Sequence, residues 1–486
     1  MEKTTSILSE FVNRVRFEDI PVGIVKEAKR ILLDSIGCAL GGLHTEKGKI
    51  THSFGTKSGS QPEATIIGGR EKVSAPMASF VNGELFNALD YDALCAPSGH
   101  ITPYVLSAPL AVAEWKHASG KDLILAIALA HEIAQRISSG LVIPERLSRK
   151  TSEQGISLQL PIHGYGVNIF GGIAGTAKIL GLDMEKIEHA FGIGGGMCPV
   201  PSLMRFAETV PSSMSKFAPS GWISQAEVTA ALLAEMGYTG DRHVFDGEFA
   251  FWKSFAADGW DPEIVITGIG NSWFLSNAVG FKQYPCCGAM HGALDIFYAI
   301  IDRFDIKPED IKELNIGLNL LAELSLWKNR TIENHIDAQF STAYVFAVAA
   351  HRIEIGHKWQ SEETFNTPEI VEFMKRVTVF TPASPYREKK DHMVEVLVRD
   401  TDAKKEIRYT ERDVWPVQNV MDDQRLNEKF ESNASQLLPS QKIEQALKTI
   451  LALEEVDDVA DMMELVSHRH EPNELIELHS IPCNQL

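Results

Sequence analysis

The stretch PVGIVKEAKRILLDSIGCALGG (residues 21–42) indicates the fold class. Its apolar residues recur at helical spacing, and it begins at a proline and ends at two glycines, the usual helix boundaries. Many helical segments in the first 250 residues are rich in small side chains. Because such side chains let helices pack closely, this part of the chain predicts a helical bundle. Further segments rich in Ala, Gly and Ser predict helices at 74–89, 104–117, 121–139, 165–180 and 222–237.

The pattern changes after about residue 260, where short segments have the composition of β-strands. These segments are KELNIGLN (312–319), RVTVFT (376–381), MVEVLVRD (393–400) and KEIRYT (405–410). The last two flank an Asp-Thr-Asp-Ala turn, which predicts a hairpin. Helical patterns at about 286–303 and 338–350 lie among these strands, and the chain returns to helix from about 440.

We therefore predict a mostly α fold with two domains. A large all-helical domain is formed by residues 1–262 and 412–486, and a smaller α/β lid domain is inserted at 263–411.

Composition narrows the classes of function. The net charge of −19 disfavours binding to nucleic acid or to anionic membrane surfaces. The six cysteines are scattered and suggest no disulfide framework, and no apolar stretch reaches the roughly 20 residues of a membrane span. We expect a soluble cytoplasmic protein. An anionic substrate would need a local positive pocket.

The glycine run Gly192–Gly196 does not match a nucleotide-binding loop, because no strand precedes it and no suitably placed acid follows. We predict a helix that ends there in a glycine-rich turn. HExxH and GxSxG motifs are absent from the sequence.

The most informative segment is VNGELFNALDYDALCAPSGHITP (81–103), in which a small-residue helix leads to two acids and then to His100. An acid beside a histidine can take, orient and return a proton. Surface acids at a helix end are also common, so this segment alone leaves a structural role open.

Three other segments place ionisable residues among small or apolar ones: His163 in LPIHGYG, Lys216 in SSMSKFAPSGW, and Lys282 in FKQYPCCGAMH. In the last, a helix starting at Pro285 would put Cys287 and His291 on one face. Two ligands alone do not make a metal site, so we expect no metal. Surface cations and a packed thiol are the alternatives.

The sequence resembles the MmgE/PrpD family through a set of motifs that occur in the same order. These motifs are VNG…ALDYD…H, LPIHGYG, SSMSKFAPSGW, KQYPCCGAMH and DAQFSTAY (337–344). The resemblance runs from about residue 32 to 438. That family includes 2-methylcitrate dehydratases, cis-aconitate decarboxylases and iminodisuccinate epimerases. The resemblance implies a helical domain with an α/β lid, a homodimer, and an active site between the domains.

By this resemblance, the catalytic candidates are Asp90, His100, His163, Lys216 and His291. The candidates for substrate binding are Lys282, Cys287, Gln339 and Tyr91. The implied substrate is a small di- or tricarboxylate, and no cofactor is expected. Lysines and protonated histidines would supply the positive charge that the acidic surface lacks.

The sequence departs from the family pattern at three places. Ala93 and Leu94 stand where relatives carry Asp-Thr, and Pro219 stands where many carry histidine. The segment 316–328 offers no tyrosine, unlike the decarboxylase branch. We therefore predict a lyase resembling 2-methylcitrate dehydratase, with an epimerase, racemase or decarboxylase and a non-catalytic family member as alternatives.

Overall fold

The computed structural model describes residues 3–95, 98–142, 148–152, 155–159, 165–198, 204–255, 257–277, 279–318, 320–382, 391–400, 405–414 and 421–468. These residues form a mostly α-helical protein, which confirms the predicted fold class. Within the described ranges, no helix combines the length and apolar character needed to cross a bilayer.

The α-helices are numbered in chain order: α1 (Thr4–Arg14), α2 (Val22–Gly42), α3 (Glu46–Ser58), α4 (Ala75–Phe86), α5 (Thr102–Val105), α6 (Ser107–Trp115), α7 (Gly120–Gly140), α8 (Ile169–Ile179), α9 (Met184–Met197), α10 (Ser220–Glu235), α11 (Pro262–Ile266), α12 (His291–Arg303), α13 (Ser325–Lys328), α14 (His335–Phe340), α15 (Thr342–Ala350), α16 (Glu362–Phe365), α17 (Pro368–Met374), α18 (Asp423–Ala434), α19 (Ser440–Leu451) and α20 (Val459–Leu465).

Helix α2 shows why small residues suit this bundle. It is buried along most of its length and packs against α4, α7, α18 and α19. A Cβ added at Gly37 would lie only 3.2 Å from the Cα of Phe430. The glycine therefore lets α18, from the C-terminal part of the chain, approach the backbone of α2.

The glycine run Gly192–Gly196 lies inside helix α9, so the prediction of a glycine-rich turn is wrong. The run serves close packing on several sides. A Cβ at Gly192 would come within 2.2 Å of the backbone of Asp241, and one at Gly194 within 2.2 Å of Ile173. Tertiary packing here outweighs the low helix propensity of glycine.

The β-strands are short, and most form two-stranded pairs. In chain order they are β1 (Ala64–Thr65), β2 (Lys72–Val73), β3 (Leu94–Cys95), β4 (Leu141–Val142), β5 (Ser148–Ser152), β6 (Gly155–Gln159), β7 (Gly259–Trp260), β8 (Val279–Gly280), β9 (Ile311–Gly317), β10 (Val377–Phe380), β11 (Asp391–Asp400) and β12 (Lys405–Val414).

One four-stranded sheet has the order β10-β9-β11-β12. Strands β9 and β10 are parallel, whereas β11 pairs antiparallel with both β9 and β12. The predicted hairpin is thus confirmed as β11–β12. The assignment of 263–411 to a lid, with boundaries at 262 and 412, stays a prediction.

A buried ion pair fixes α7 to α11 and to the segment that follows it. Arg136 Nε donates to Glu132 at 2.6 Å, one helical turn away. Its other nitrogens donate to the backbone carbonyls of Val265, Thr267 and Ser272 at 2.8 to 3.0 Å. Glu132 also accepts the backbone N–H of Phe274 at 2.8 Å. We refer to Glu132 and Arg136 as the Arg136 clamp.

Candidate active site

The segment after helix α4 carries the first acid of the site. Asp90 is buried and has φ = 52°, and Lys216, which lies beside it, has φ = 49°. Left-handed backbone at a residue other than glycine costs on the order of 1–2 kcal/mol. Such strain often accompanies functional positions, and here the same cluster holds two strained residues.

His100 is oriented by the second acid of the same segment. Its Nδ1 lies 2.6 Å from Asp92 Oδ2, and Asp92 Oδ1 accepts the side-chain amide of Asn87 at 2.8 Å. With Nδ1 bound to Asp92, the other ring nitrogen, Nε2, is available for proton transfer. It lies 3.7 Å from Asp90 Oδ1.

Two lysines from distant parts of the chain meet Asp90. Lys282 Nζ donates to Asp90 Oδ2 at 2.7 Å and to its backbone carbonyl at 2.6 Å. Lys216 Nζ lies 3.5 Å from Asp90 Oδ1 and donates to the carbonyl and side-chain oxygens of Asn87 at 2.8 and 3.1 Å. Hereafter, the Asp90 cluster denotes Asn87, Asp90, Asp92, His100, Lys216 and Lys282.

Burial and mutual attraction set the charges of the cluster. Burial alone would raise the pKa of Asp90, but Lys282, Lys216 and His100 hold it well below its usual range. The pKa of Asp92 is likewise lowered, because His100 outweighs burial. Both groups are therefore carboxylates at neutral pH.

The two lysines differ in their proton affinity. Burial disfavours the ammonium form of Lys282, but Asp90 and Asp92 outweigh it and raise the pKa of Lys282. Burial lowers the pKa of Lys216 to about 8, despite the opposing effect of Asp90. Lys216 can therefore exchange a proton near neutral pH, whereas Lys282 stays charged.

Asp90, Asp92 and His100 place three possible metal-ligand atoms within 4.8 Å of one another. Both oxygens of Asp90, however, already face the ammonium groups of Lys282 and Lys216. A divalent cation bound there would be repelled by both lysines, so the charge arrangement disfavours a metal ion. The predicted absence of a metal stays a prediction.

The prediction that Cys287 and His291 lie on one face of a helix from Pro285 is wrong. Helix α12 begins at His291, and Cys287 precedes it with extended backbone (φ −54°, ψ 126°), so the two residues do not share a helix face. Burial lowers the pKa of His291 to about 3. The ring is neutral at pH 7, and the expectation of a positive histidine is wrong there.

Cys287, Gln339 and Tyr91 lie around the Asp90 segment. The backbone N–H of Cys287 donates to the carbonyl of Gln339 at 3.0 Å, and Gln339 Nε2 donates to the carbonyl of Ala88 at 2.7 Å. The Tyr91 hydroxyl donates to the carbonyl of Gln283 at 3.2 Å. These contacts support the backbone beside Asp90. His163 lies outside the described residues.

The sequence prediction missed Asn87, which links Asp92 to Lys216. Asn87 lies three residues before Asp90, at the end of helix α4, and this position could have indicated that it belongs to the site. It also missed His335, which is buried with no hydrogen-bond partner at either ring nitrogen in the structure as described. Burial, followed by the charges of Lys216 and Lys47, lowers the pKa of His335 to about 3.

Family comparison covers most of the chain. Residues 6–263 match the MmgE/PrpD N-terminal domain, and residues 284–455 match the MmgE/PrpD C-terminal domain. The chain belongs to the MmgE/PrpD family. In this MmgE/PrpD protein, Lys282 lies between the two matched regions, whereas Asp90, His100 and Lys216 lie in the first.

Relatives are similar over nearly their whole length but at low identity. The cis-aconitate decarboxylase-like protein oryM of Aspergillus oryzae is 23% identical, with 95% of this chain and 97% of that protein covered. The cis-aconitate decarboxylase of Homo sapiens is 23% identical, with 95% and 93% covered. That of Aspergillus terreus is 24% identical, with 95% and 96% covered.

Proposed function

We propose that this MmgE/PrpD protein is a lyase that acts on a small di- or tricarboxylate by general acid/base proton transfer. The observation that carries the proposal is a buried carboxylate oxygen, Asp90 Oδ1, that two ionisable groups approach. His100, oriented by Asp92, lies 3.7 Å from it, and Lys216, whose pKa is lowered to about 8, lies 3.5 Å from it. Two groups of this kind can exchange protons with a substrate at neutral pH.

His100 is the proposed proton acceptor. Asp92 holds the Nδ1 side of the ring, so Nε2 can remove a proton alpha to a carboxylate. His100 is 8% exposed, compared with 3% for Lys216 and 1% for Asp90. It is therefore the member of this group that a ligand would reach first.

Lys216 is the proposed proton donor. In its ammonium form it can protonate a leaving hydroxyl group or a carbanion. Its distance of 3.5 Å from Asp90 Oδ1 is longer than the 2.7 Å between Lys282 and Asp90 Oδ2, so Asp90 binds Lys216 less tightly than Lys282. A substrate carboxylate can compete with Asp90 for this ammonium group.

Two reactions fit this arrangement. In dehydration, His100 takes the alpha proton, the C–O bond breaks, and Lys216 protonates the departing hydroxide to give water. In decarboxylation, a C–C bond breaks, carbon dioxide leaves, and Lys216 protonates the carbanion. The sequence departures favour the first, whereas the names of the relatives favour the second.

The test is a substrate panel followed by proton NMR in deuterated water. Purified protein is incubated separately with 2-methylcitrate, cis-aconitate and iminodisuccinate. Loss of water, loss of carbon dioxide and exchange of the alpha proton give distinct spectra. Lys216→Met should strongly lower the rate of either reaction, and His100→Gln should strongly lower the rate of dehydration or of alpha-proton exchange.

The matched controls are His117→Gln and Lys375→Met, which change exposed residues. Both should retain parental turnover. Full turnover by His100→Gln and Lys216→Met would overturn the site assignment. Exchange without loss of a group would favour an epimerase, and no reaction with any compound would favour a non-catalytic protein. The homodimer and the cytoplasmic location stay predictions.

A further inference from the structure

Lys429 makes an unusual set of contacts on helix α18. It is buried, and its Nζ donates to the backbone carbonyl of Tyr91 at 2.7 Å and to that of Lys282 at 3.1 Å. The same nitrogen pairs with Asp34 Oδ1 on helix α2 at 2.6 Å. The three N–H donors of the ammonium group thus have three oxygen partners.

The two carbonyls belong to the segments that bring Asp90 and Lys282 together. Tyr91 follows Asp90 directly, and Lys282 is itself the partner of Asp90. Strand β3, just after Tyr91, pairs with β8, just before Lys282. Lys429 therefore joins the two segments at the point where the Asp90–Lys282 ion pair forms.

The Tyr91 ring adds a further restraint. Lys429 Nζ lies 3.7 Å from the ring centroid, close enough for a cation–π interaction. If Lys429 served only to join α2 to α18, the ion pair with Asp34 would be sufficient. Here the same ammonium group also fixes the backbone on both sides of the ion pair, which is a different role.

We propose that Lys429 is a positioning residue that holds Asp90 and Lys282 in register for proton transfer at His100 and Lys216. This inference rests on the proposed function. Lys429 lies within the matched C-terminal region, residues 284–455, and its side chain is not proposed to touch the substrate. Displacement of a reacting group by about 1 Å can lower the rate about 100-fold, so the role has a measurable consequence.

The main test removes the Lys429–Asp34 pair without leaving a buried unpaired charge. Removing one partner alone would destabilise the protein, whereas apolar replacement of both partners is often tolerated. The double variant Lys429→Met/Asp34→Leu is therefore compared with the parent. We expect it to fold, with a melting temperature lowered by the loss of the two carbonyl hydrogen bonds. We expect kcat to be lowered about 10- to 100-fold and KM to change much less.

Lys26→Met is the matched control. Lys26 also joins α2 to α18, through Asp423 at 2.8 Å, but its side chain is exposed. It should retain parental kcat and KM. A parental kcat in the folded double variant would overturn the positioning role, because a purely structural pair would give that result.

A second readout does not depend on turnover. In a crystal structure of the double variant, we expect the distance between Asp90 Oδ2 and Lys282 Nζ to exceed hydrogen-bonding range. An unchanged distance of 2.7 Å would overturn the inference. The two proposals can fail separately. If Lys216→Met and His100→Gln keep full activity, the proposed function fails. If the Asp90–Lys282 distance still lengthens in the double variant, the structural effect of Lys429 stands.

Discussion

The Arg136 clamp and the Asp90 cluster both bury opposite charges in the same protein, yet they are built differently. In the clamp, one cation meets one anion on a regular helix, and backbone groups bind the remaining polar atoms. In the Asp90 cluster, two cations share one carboxylate, and two residues have left-handed backbone.

This difference shows that buried charge alone does not indicate a functional site. In the clamp, Arg136 keeps its charge and exchanges no proton. Burial raises the pKa of Glu132, although Arg136 opposes this, and its oxygens are bound by Arg136 and by the backbone N–H of Phe274. The Asp90 cluster contains a histidine with one oriented nitrogen and a lysine with a pKa lowered to about 8. Mutations should therefore affect stability in one region and turnover in the other.

The largest effect is expected at His100. Replacing it with glutamine removes the proposed proton acceptor but keeps polar character beside Asp92. We expect kcat to fall about 1,000-fold, within the usual range for loss of a general acid or base. The melting temperature should change little. The measurements are NMR turnover and thermal unfolding followed by circular dichroism.

Arg136→Met should give the opposite result. It leaves Glu132 buried and unpaired, so we expect the free energy of unfolding to fall by about 3–5 kcal/mol. Turnover per folded molecule should remain parental. Chemical denaturation with urea measures the first quantity. A large loss of kcat in the folded fraction would contradict the contrast between the two regions.

Asp92→Asn is a nearly isosteric change that tests orientation rather than charge burial. Asparagine can offer an N–H to His100 Nδ1 and so favour the wrong tautomer. Because misplacement of a reacting group can lower the rate about 100-fold, we expect kcat to fall by about that factor. The matched change in the clamp is Glu132→Gln, which should lower stability and leave kcat unchanged. Equal kcat losses in both variants would contradict the prediction.

The smallest effect is expected in the pH dependence. Lys216 must be protonated to act as a donor, and its pKa is lowered to about 8. Activity should therefore fall above about pH 8, by about tenfold for each further pH unit. Lys216→Arg keeps its proton throughout this range, so its residual activity should lack this decrease. Persistence of the decrease would exclude Lys216 as its source.

Much of the Asp90 cluster is predictable from the sequence, because its ionisable residues stand out among small and apolar ones. The local pattern singles out Asp90, His100, Lys216 and Lys282, the family resemblance makes them site candidates, and the structure brings them together. Their relative positions depend on contacts between distant segments, such as β3 with β8. Local periodicity carries no information about such contacts.

The errors and omissions of the sequence predictions also arise from contacts between distant segments. The predicted helix from Pro285 failed because Cys287 binds the backbone of Gln339 and does not enter α12. Lys429 lies in a strongly polar helix, where a lysine predicts solvent exposure. Asp34 is the sequence feature that points to the burial of Lys429, because a carboxylate within the apolar segment LLDSIG is costly to bury unless a cation pairs with it.

The packing of α18 on α2 also affects how the protein is made. Helix α2 ends at Gly42 and α18 begins at Asp423, so hundreds of residues are synthesised between them. At about 5–20 residues per second, a nascent chain on the ribosome exposes this part of α2 for tens of seconds. Asp34 meanwhile has no lysine partner, and the adjoining apolar surface is open to chaperones or to aggregation. Fragments that end before α18 should therefore be poorly soluble.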